Sequence, residues 1–427
     1  MTALVVPLAA AEACDAGRFG PKAANLAALA RAGLPTPGGF CVDAAAYRRQ
    51  LTHLGLDDAA RRAASSDRPA ARRLALEVRL GLLERPIAED LEGPLLAAWT
   101  ALVESSGAPA AVRSSALVED RAGATFAGQF ESYLGLASED DLRTALRACW
   151  AALWSSRALA YMAAHGLAPA DTAMAVLVQP LVAARASGGG LSRTAAGDML
   201  LSATPGFGSA IAQGEVVPDR YVVARDGTLR AADPGRDGHR AECAAHGAAD
   251  ARGSGAEPAR PACLDAARAE ELGRLLRAAE DVAGAPVEIE WALDDGGFQL
   301  LQSRPLRIEP AAVPDEVWQR HPGLTGQGAG IGWSSGRACV VSCECELSRV
   351  APGDVLVTRI AGPALTQVLP RVAAVVAELG GSTSHLASLG RERRIPMVLG
   401  VLDATRRIPE GARVAVDGVA GVVRWAV

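Results

Sequence analysis

Among the side chains able to do chemistry, His385 has the most suggestive surroundings. It closes the run G-G-S-T-S-H (Gly380–His385), which opens on a Gly-Gly turn, with two hydroxyl residues, Thr383 and Ser384, just before the histidine. An apolar strand at 372–376 leads into the glycines. A helix-like run follows from Leu386 to about Arg393, and Pro396 stops it before a second apolar strand opening at Met397. This order puts the imidazole at or near a helix start, where backbone N–H groups without helical partners favour an anion. An imidazole so placed is a nucleophile that can carry a phosphoryl group. On spacing alone a histidine after Gly-Gly is more often structural, so the rest of the chain has to decide.

Lys22 is the second signal. It is the only lysine in the chain; the other 42 of 43 basic residues are arginine. Lysine is a compact point charge and arginine a planar fork. A cleft that must reach one phosphate oxygen therefore has reason to keep a lysine. A third cluster, A-V-R-S-S-A-L-V-E-D-R-A-G-A-T-F-A-G-Q (Ala111–Gln129), carries Arg113 on an expected strand. A small-residue loop follows, with Gly123, Thr125 and Gly128, and such loops let backbone N–H groups approach a polyphosphate. The fourth is P-V-E-I-E-W-A-L-D-D-G-G-F-Q-L-L-Q-S-R-P (Pro286–Pro305), two strands around a D-D-G-G turn. Alternation puts Glu288, Glu290 and Ala292 on one face of its first strand, and Gln302 and Arg304 on one face of its second. A carboxylate, an amide oxygen and a guanidinium meeting there would suit Mg²⁺ bridging phosphates beside an arginine.

The elements that must hold these groups read as mixed α and β. Gly-Pro precedes a short amphipathic helix, Ala23 to Ala32, which Lys22 opens and Gly33 ends; a strand follows at Phe40–Val42. Residues 51–108 are helical and Arg-rich, and 139–168 form one or two helices. Residues 173–182 make an apolar strand leaving through Gln179-Pro180. Residues 226–262 read as a variable surface excursion, and a helix runs from Asp265 to Val282. Three prolines and a Gly-rich end mark 309–330 as a tether.

These motifs resemble the family of phosphoenolpyruvate synthase, pyruvate phosphate dikinase and rifampin phosphotransferase. G-G-S-T-S-H with R-E-x-x-I-P looks like the phosphohistidine (swivelling) domain, with P-G-D-V-L-V (Pro352–Val357) and V-D-G-x-A-G-V-V ending at Val423 in support. G-x-K-x-x-N-L-x-x-L, V-R-S-S-A-x-x-E-D-x-x-x-x-x-F-A-G-Q and E-W-A…L-Q-S-R-P resemble that family's ATP-grasp domain. The resemblance implies an α/β (α+β) fold: an ATP-grasp nucleotide-binding domain over 1–308, a linker over 309–330 and a phosphohistidine domain over 331–427. It implies His385 as the phosphorylated residue, with Thr383 beside it. Lys22, Arg113, Arg304 and the loop of Gly123, Thr125 and Gly128 would serve the phosphates of ATP. Gln179, Pro180 and Leu181 would read adenine, and Glu290 and Gln302 would hold Mg²⁺. Pro21 stands where the family has a second glycine, Ser209 where a glutamate is common, Leu386 for an alanine and Arg394 for a glycine.

The activity implied is a dikinase-type transfer. ATP phosphorylates the histidine, AMP and phosphate leave, and the phosphoryl group passes to an acceptor. Residues 1–427 include no stretch that resembles the family's pyruvate-binding barrel. The acceptor is therefore expected to be pyruvate-like and bound on a partner chain, or else a small molecule in a pocket at the domain interface. A degenerate nucleotide-binding regulator is the weakest reading, since the phosphate, metal and nucleophile positions are all filled. Net charge of -5 gives no reason for a nucleic-acid or acidic-membrane partner. No apolar run reaches the roughly 18 residues that span a bilayer, and the N-terminus lacks a signal peptide's basic start, so a cytoplasmic location is expected. Eight scattered cysteines, with one C-x-C at Cys343 and Cys345, read as reduced structural thiols.

Overall fold

Asp15 caps the first helix by accepting a hydrogen bond from the Gly17 N–H, and the helix runs Ala16–Arg31 across a sharp kink. The kink is Gly20, at φ 72°, where a Cβ would lie 2.4 Å from the Ser115 carbonyl oxygen. Only glycine fits that approach and that φ. Pro21 then starts the second helical segment, as its fixed φ favours. Apolar periodicity predicts this helix only from Ala23, because the turn before the kink carries little of it.

The computed structural model describes residues 3–65, 67–119, 130, 132–236, 261–307 and 319–426. By contacts the chain divides into two compact units, Met1–Ala183 with Gly297–Arg304, and Ala184–Gly296 with Pro305–Val427.

The first unit holds an antiparallel sheet in the order Val5–Pro7, Phe40–Val42, Met174–Pro180, Ala110–Ala116, Ser132–Leu136. Its helices include Ala44–His53, Arg68–Glu84, Glu89–Ser106, Glu139–Ala152 and Ser156–Ala164. Phe19, Leu26, Tyr47, Val112, Trp150, Val176 and Val178 are buried in this unit. Trp154 Nε1 donates to Tyr47 Oη at 2.8 Å, so the two large polar-tipped side chains satisfy each other in the interior.

The second unit carries two sheets. In one, Val287–Asp294, Ala186–Leu191, Met199–Pro205, Asp219–Val223 and Leu229–Asp233 run antiparallel in that order. Helix Ala266–Ala283 contributes Leu272 and Leu276 to the buried interior. Residues 226–236 depart from the excursion expected for 226–262: Leu229–Asp233 is a strand, stabilised by pairing that its own Ala- and Arg-rich sequence does not announce. Residues 237–260 of that stretch lie outside those described. Asp219, wholly buried, accepts from the Gly235 and Cys263 N–H groups at 2.6 Å each and so ties together the residues flanking it.

The other sheet has eight strands, four of them parallel neighbours in the order Trp333–Val341, Val355–Thr358, Ala374–Ala377, Met397–Leu399. Val355, Val357, Val376, Val398, Ile408, Val414 and Trp425 form one buried cluster. The stretch read as a tether enters this sheet: Gly323–Thr325 pairs with Val422–Trp425, and Gln327–Gly328 with Met397–Leu399. Glycines there, such as Gly326 and Gly328, pack against backbone at distances no side chain would allow, which is why a Gly-rich end is ordered.

Candidate functional site

The nucleotide-side candidates of the first unit gather around Lys22. Ser115 Oγ accepts from the Ala23 N–H at 3.3 Å, so a side chain from the neighbouring strand helps cap the helical segment that opens just before Lys22. Lys22 Nζ lies 3.0 Å from Glu119 Oε2 and 3.3 Å from the Ser114 carbonyl oxygen. The Glu119 side chain is fully buried, whereas Lys22 keeps about a fifth of its side chain exposed. A buried carboxylate therefore anchors the lysine while part of its side chain stays exposed.

Arg113 and Asn25 converge on one strand, Gly297–Pro305. Arg113 Nη1 donates to the Leu301 carbonyl at 3.4 Å, and Asn25 Nδ2 to the Ser303 carbonyl at 3.1 Å. Gln302 sits between those two anchors, half-buried, and Arg304 follows, buried. Lys22, Arg113, Gln302 and Arg304 thus belong to one body. Gln179 is buried and its amide donates to the Gly38 carbonyl at 3.3 Å; the Leu181 N–H donates to the Pro109 carbonyl at 2.7 Å. Pro180 ends the strand, half-buried. Gly123, Thr125 and Gly128 lie outside the described residues.

Glu290, Thr383 and His385 belong to the second unit. Strand Ala374–Ala377 delivers the chain to Gly380, at φ 96°, whose N–H donates to the Val216 carbonyl at 3.0 Å. Ser384 is the N-cap of helix His385–Arg393 and accepts from the Ala387 N–H at 3.2 Å. His385 is the first helical residue, as the sequence pattern indicated, and is half-buried. It lies past the carboxyl end of a parallel strand, where ligand sites in such sheets concentrate. Among the described residues Thr383 Oγ1 is buried with no hydrogen-bond partner. A hydroxyl so placed is one that a phosphoryl oxygen could satisfy.

Thr383 packs against Gly189. A Cβ on that glycine would lie 2.7 Å from Thr383 Cβ, so the close approach requires glycine. Gly189 pairs with Glu290 across the sheet, and Glu288 and Glu290 share a strand face. That face meets the histidine helix: Ser388 Oγ donates to Glu288 at 3.3 Å, and Arg391 Nη2 reaches Glu288 Oε2 at 2.8 Å. The carboxylates Glu288 and Glu290, Gly189 and Arg391 thus belong with the histidine segment. Local sequence gives no role to Gly189, Arg391 or Glu288, although three glycines in a row within a strand (Gly188–Gly190) signal that another backbone comes close.

No group of three or more His, Cys, Asp or Glu able to hold a metal ion occurs among the described residues. The two expected ligands, Glu290 and Gln302, offer hard oxygens. Glu290, in the second unit, and Gln302, in the first, are each of a ligand type that fits Mg²⁺, which keeps most of its shell for water and phosphate and takes one or two protein ligands.

The AMP/ATP-binding domain of pyruvate phosphate dikinase matches residues 16–321, and the mobile domain of the PEP-utilising enzymes matches residues 350–421. A probable phosphoenolpyruvate synthase of Archaeoglobus fulgidus is 34% identical, over 98% of this chain and 58% of its own length. Phosphoenolpyruvate synthases of Pyrococcus furiosus and Pseudomonas aeruginosa are 30% and 31% identical, over 96% and 92% of this chain and 57% and 53% of theirs. The chain therefore spans a little over half the length of these curated relatives. No helix among the described residues is long and apolar enough to cross a membrane.

Proposed function

This chain belongs to the phosphoenolpyruvate synthase and pyruvate phosphate dikinase family of ATP-dependent enzymes, and on that premise we propose that it carries phosphate from ATP to a pyruvate-like acceptor through His385. A ring nitrogen of His385 attacks the β-phosphorus, the bond to the α,β-bridging oxygen breaks, and AMP leaves. Water then takes the γ-phosphoryl group as inorganic phosphate, and the histidine retains the β-phosphoryl group. The acceptor oxygen finally displaces the histidine from that phosphorus, and the acceptor is held on a partner chain.

In this reading Lys22, Arg113 and Arg304 neutralise the triphosphate, with the loop of Gly123, Thr125 and Gly128 around it. Gln179, Pro180 and Leu181 border the adenine. Glu290 and Gln302 would hold Mg²⁺, which supplies charge neutralisation at the phosphates and aligns them. Ser384 fixes the start of the histidine helix, whose N–H groups favour the negative charge the phosphoryl group brings. Thr383 Oγ1 offers that group a hydrogen bond. The proposed domain division is a nucleotide-binding part over 1–308, joined through 309–330 to the histidine-bearing part over 331–427.

The observation that carries the reading is His385 as first residue of a helix, against the sheet face that bears Glu290. Incubation with ATP labelled at the β-phosphate should leave acid-labile, base-stable label on the protein, and a chase with pyruvate should discharge it when the acceptor-binding partner is present. Equal labelling of His385→Ala would remove the proposal.

A further inference from the structure

The pair Glu288–Arg391 joins two stretches that match separate domains, the nucleotide-binding one and the mobile one. Both side chains are buried, at 7% exposure for Glu288 and 9% for Arg391, and the ion pair is 2.8 Å long. Ser388 Oγ stands between them, donating to Glu288 and accepting from Arg391 Nη2 at 3.1 Å. The other arm of the guanidinium donates to the Ser382 carbonyl at 2.7 Å and the Ala329 carbonyl at 3.4 Å. Ser382 opens the S-T-S-H segment. Ser384, Ser388 and Arg391 follow at helical spacing, so they share one face of the helix.

A buried ion pair is weak as a device for stability alone, because apolar residues of similar volume usually do as well or better. Its use is in geometry: it demands one arrangement and rejects neighbouring ones. It is also reversible, since both ends regain water if the mobile domain leaves. Arg391 in addition fixes a carbonyl three residues before the nucleophile, so the pair sets the placement of His385 as well as its proximity to the strand.

Resting on the reading of His385 as phosphocarrier, we infer that Glu288 is a positioning residue: through Arg391 and Ser388 it latches the S-T-S-H segment onto the strand face bearing Glu290, and so sets the rate of transfer from ATP to His385. Glu288 contacts Ser388 and Arg391, and its effect is on the docked geometry of the histidine segment.

The test uses the whole chain with Glu288→Gln, which removes the charge and keeps the shape, and Arg391→Lys, which keeps the charge and loses the fork. Single-turnover labelling from β-labelled ATP, ATP affinity by equilibrium dialysis, and deuterium exchange over 382–393 are measured below the melting point of each variant. The expected result is a labelling rate at least tenfold lower, ATP affinity within twofold of wild type, and faster exchange across 382–393. A wild-type labelling rate in both folded variants overturns the inference, because the pair then serves only the fold. Glu288→Asp, which keeps the charge on a shorter stem, should recover part of the rate, and serves in place of Glu288→Gln if that variant does not fold. Retention of label by His385→Ala is a separate result that removes the underlying reading and leaves the docking geometry, read by exchange, intact.

Discussion

Lys22 Nζ lies 3.0 Å from a buried carboxylate oxygen of Glu119. One lysine survives in a chain whose other basic residues are all arginine, and here it has a partner that accepts a point charge. The Ser114 carbonyl 3.3 Å away completes its seat. An arginine fork is longer and planar and cannot occupy that seat while presenting a single cationic tip to a phosphate. Lys22→Arg should therefore slow labelling of His385 at least tenfold, about 1.4 kcal/mol of transition-state stabilisation. Undiminished labelling would mean the lysine is there by chance.

Glu290 lies opposite Gly189 in the sheet, on the face that meets the histidine segment. If it is a ligand of the metal, Glu290→Gln should raise the Mg²⁺ concentration for half-maximal labelling at least tenfold, with the melting temperature unchanged. A Mg²⁺ titration that overlays wild type would take away its assignment, and that of Gln302 with it.

Glu280 gives a pH prediction for stability. Burial is the largest influence on its carboxyl and pushes it up. Hydrogen bonds from Arg225, Ser192 and Arg193 together overcome that and hold it at about 2. Arg225 binds both oxygens, at 2.9 Å each. A carboxylate depressed on folding adds stability above its unfolded pKa and loses it as pH falls through the folded value. Wild type should therefore exceed Glu280→Gln by on the order of 1–2 kcal/mol at pH 7, discounted for the half-exposed Arg193. The gap should shrink from about pH 4.5 down towards pH 2. Urea denaturation at pH 7 and pH 3 measures it, and a gap constant across that window contradicts the assignment.

Much of this was legible in the chain because it rests on local rules. The helix that Lys22 opens, the start of a helix at or near His385 and the strands at Phe40–Val42 and around Arg113 each follow from residues within a few positions, whereas the kink at Gly20 answers to the Ser115 carbonyl far along the chain. What was not legible depends on residues far apart. Leu229–Asp233 is a strand because Asp219–Val223 pairs with it. Gly323–Gly328 is ordered because the sheet of the second unit reaches it. Glu288 looked like a bystander to Glu290 because nothing near it in sequence reveals an arginine 103 residues on.

Arg394 stands where glycine is usual in the family that the sequence resembles. It occupies the left-handed region at φ 57°, ψ 41°, in the C-cap of the histidine helix. A side chain there costs energy that glycine avoids. Arg394→Gly should stabilise the protein by about 0.5–1 kcal/mol, the left-handed penalty of about 1–2 kcal/mol less the extra chain entropy that glycine gives up on folding, and leave labelling of His385 at the wild-type rate. A lower melting temperature would show that contacts of the arginine outweigh its backbone strain.

Gly189 and Gly190 are adjacent in one strand and should fail in different ways when replaced by alanine. Successive residues point to opposite faces. A Cβ at Gly189 would meet Thr383, at 2.7 Å from its Cβ and 2.9 Å from its Cγ2. A Cβ at Gly190 would meet Leu276, Ile289 and Leu201 at 3.1–3.3 Å, all of them core side chains. The first contact is with the histidine segment, which can be pushed away without disturbing the sheet. The second is with the packed interior, which must absorb the methyl group, at about 1–3 kcal/mol for overpacking. Gly189→Ala should therefore lower the labelling rate of His385 tenfold or more with little change in melting temperature. Gly190→Ala should lower the melting temperature while the folded protein still labels. Thermal melts and single-turnover labelling on the two variants separate the faces. If Gly189→Ala melts early and Gly190→Ala loses labelling, the face assigned to the histidine segment is the wrong one, and Glu290 is turned away from the nucleophile.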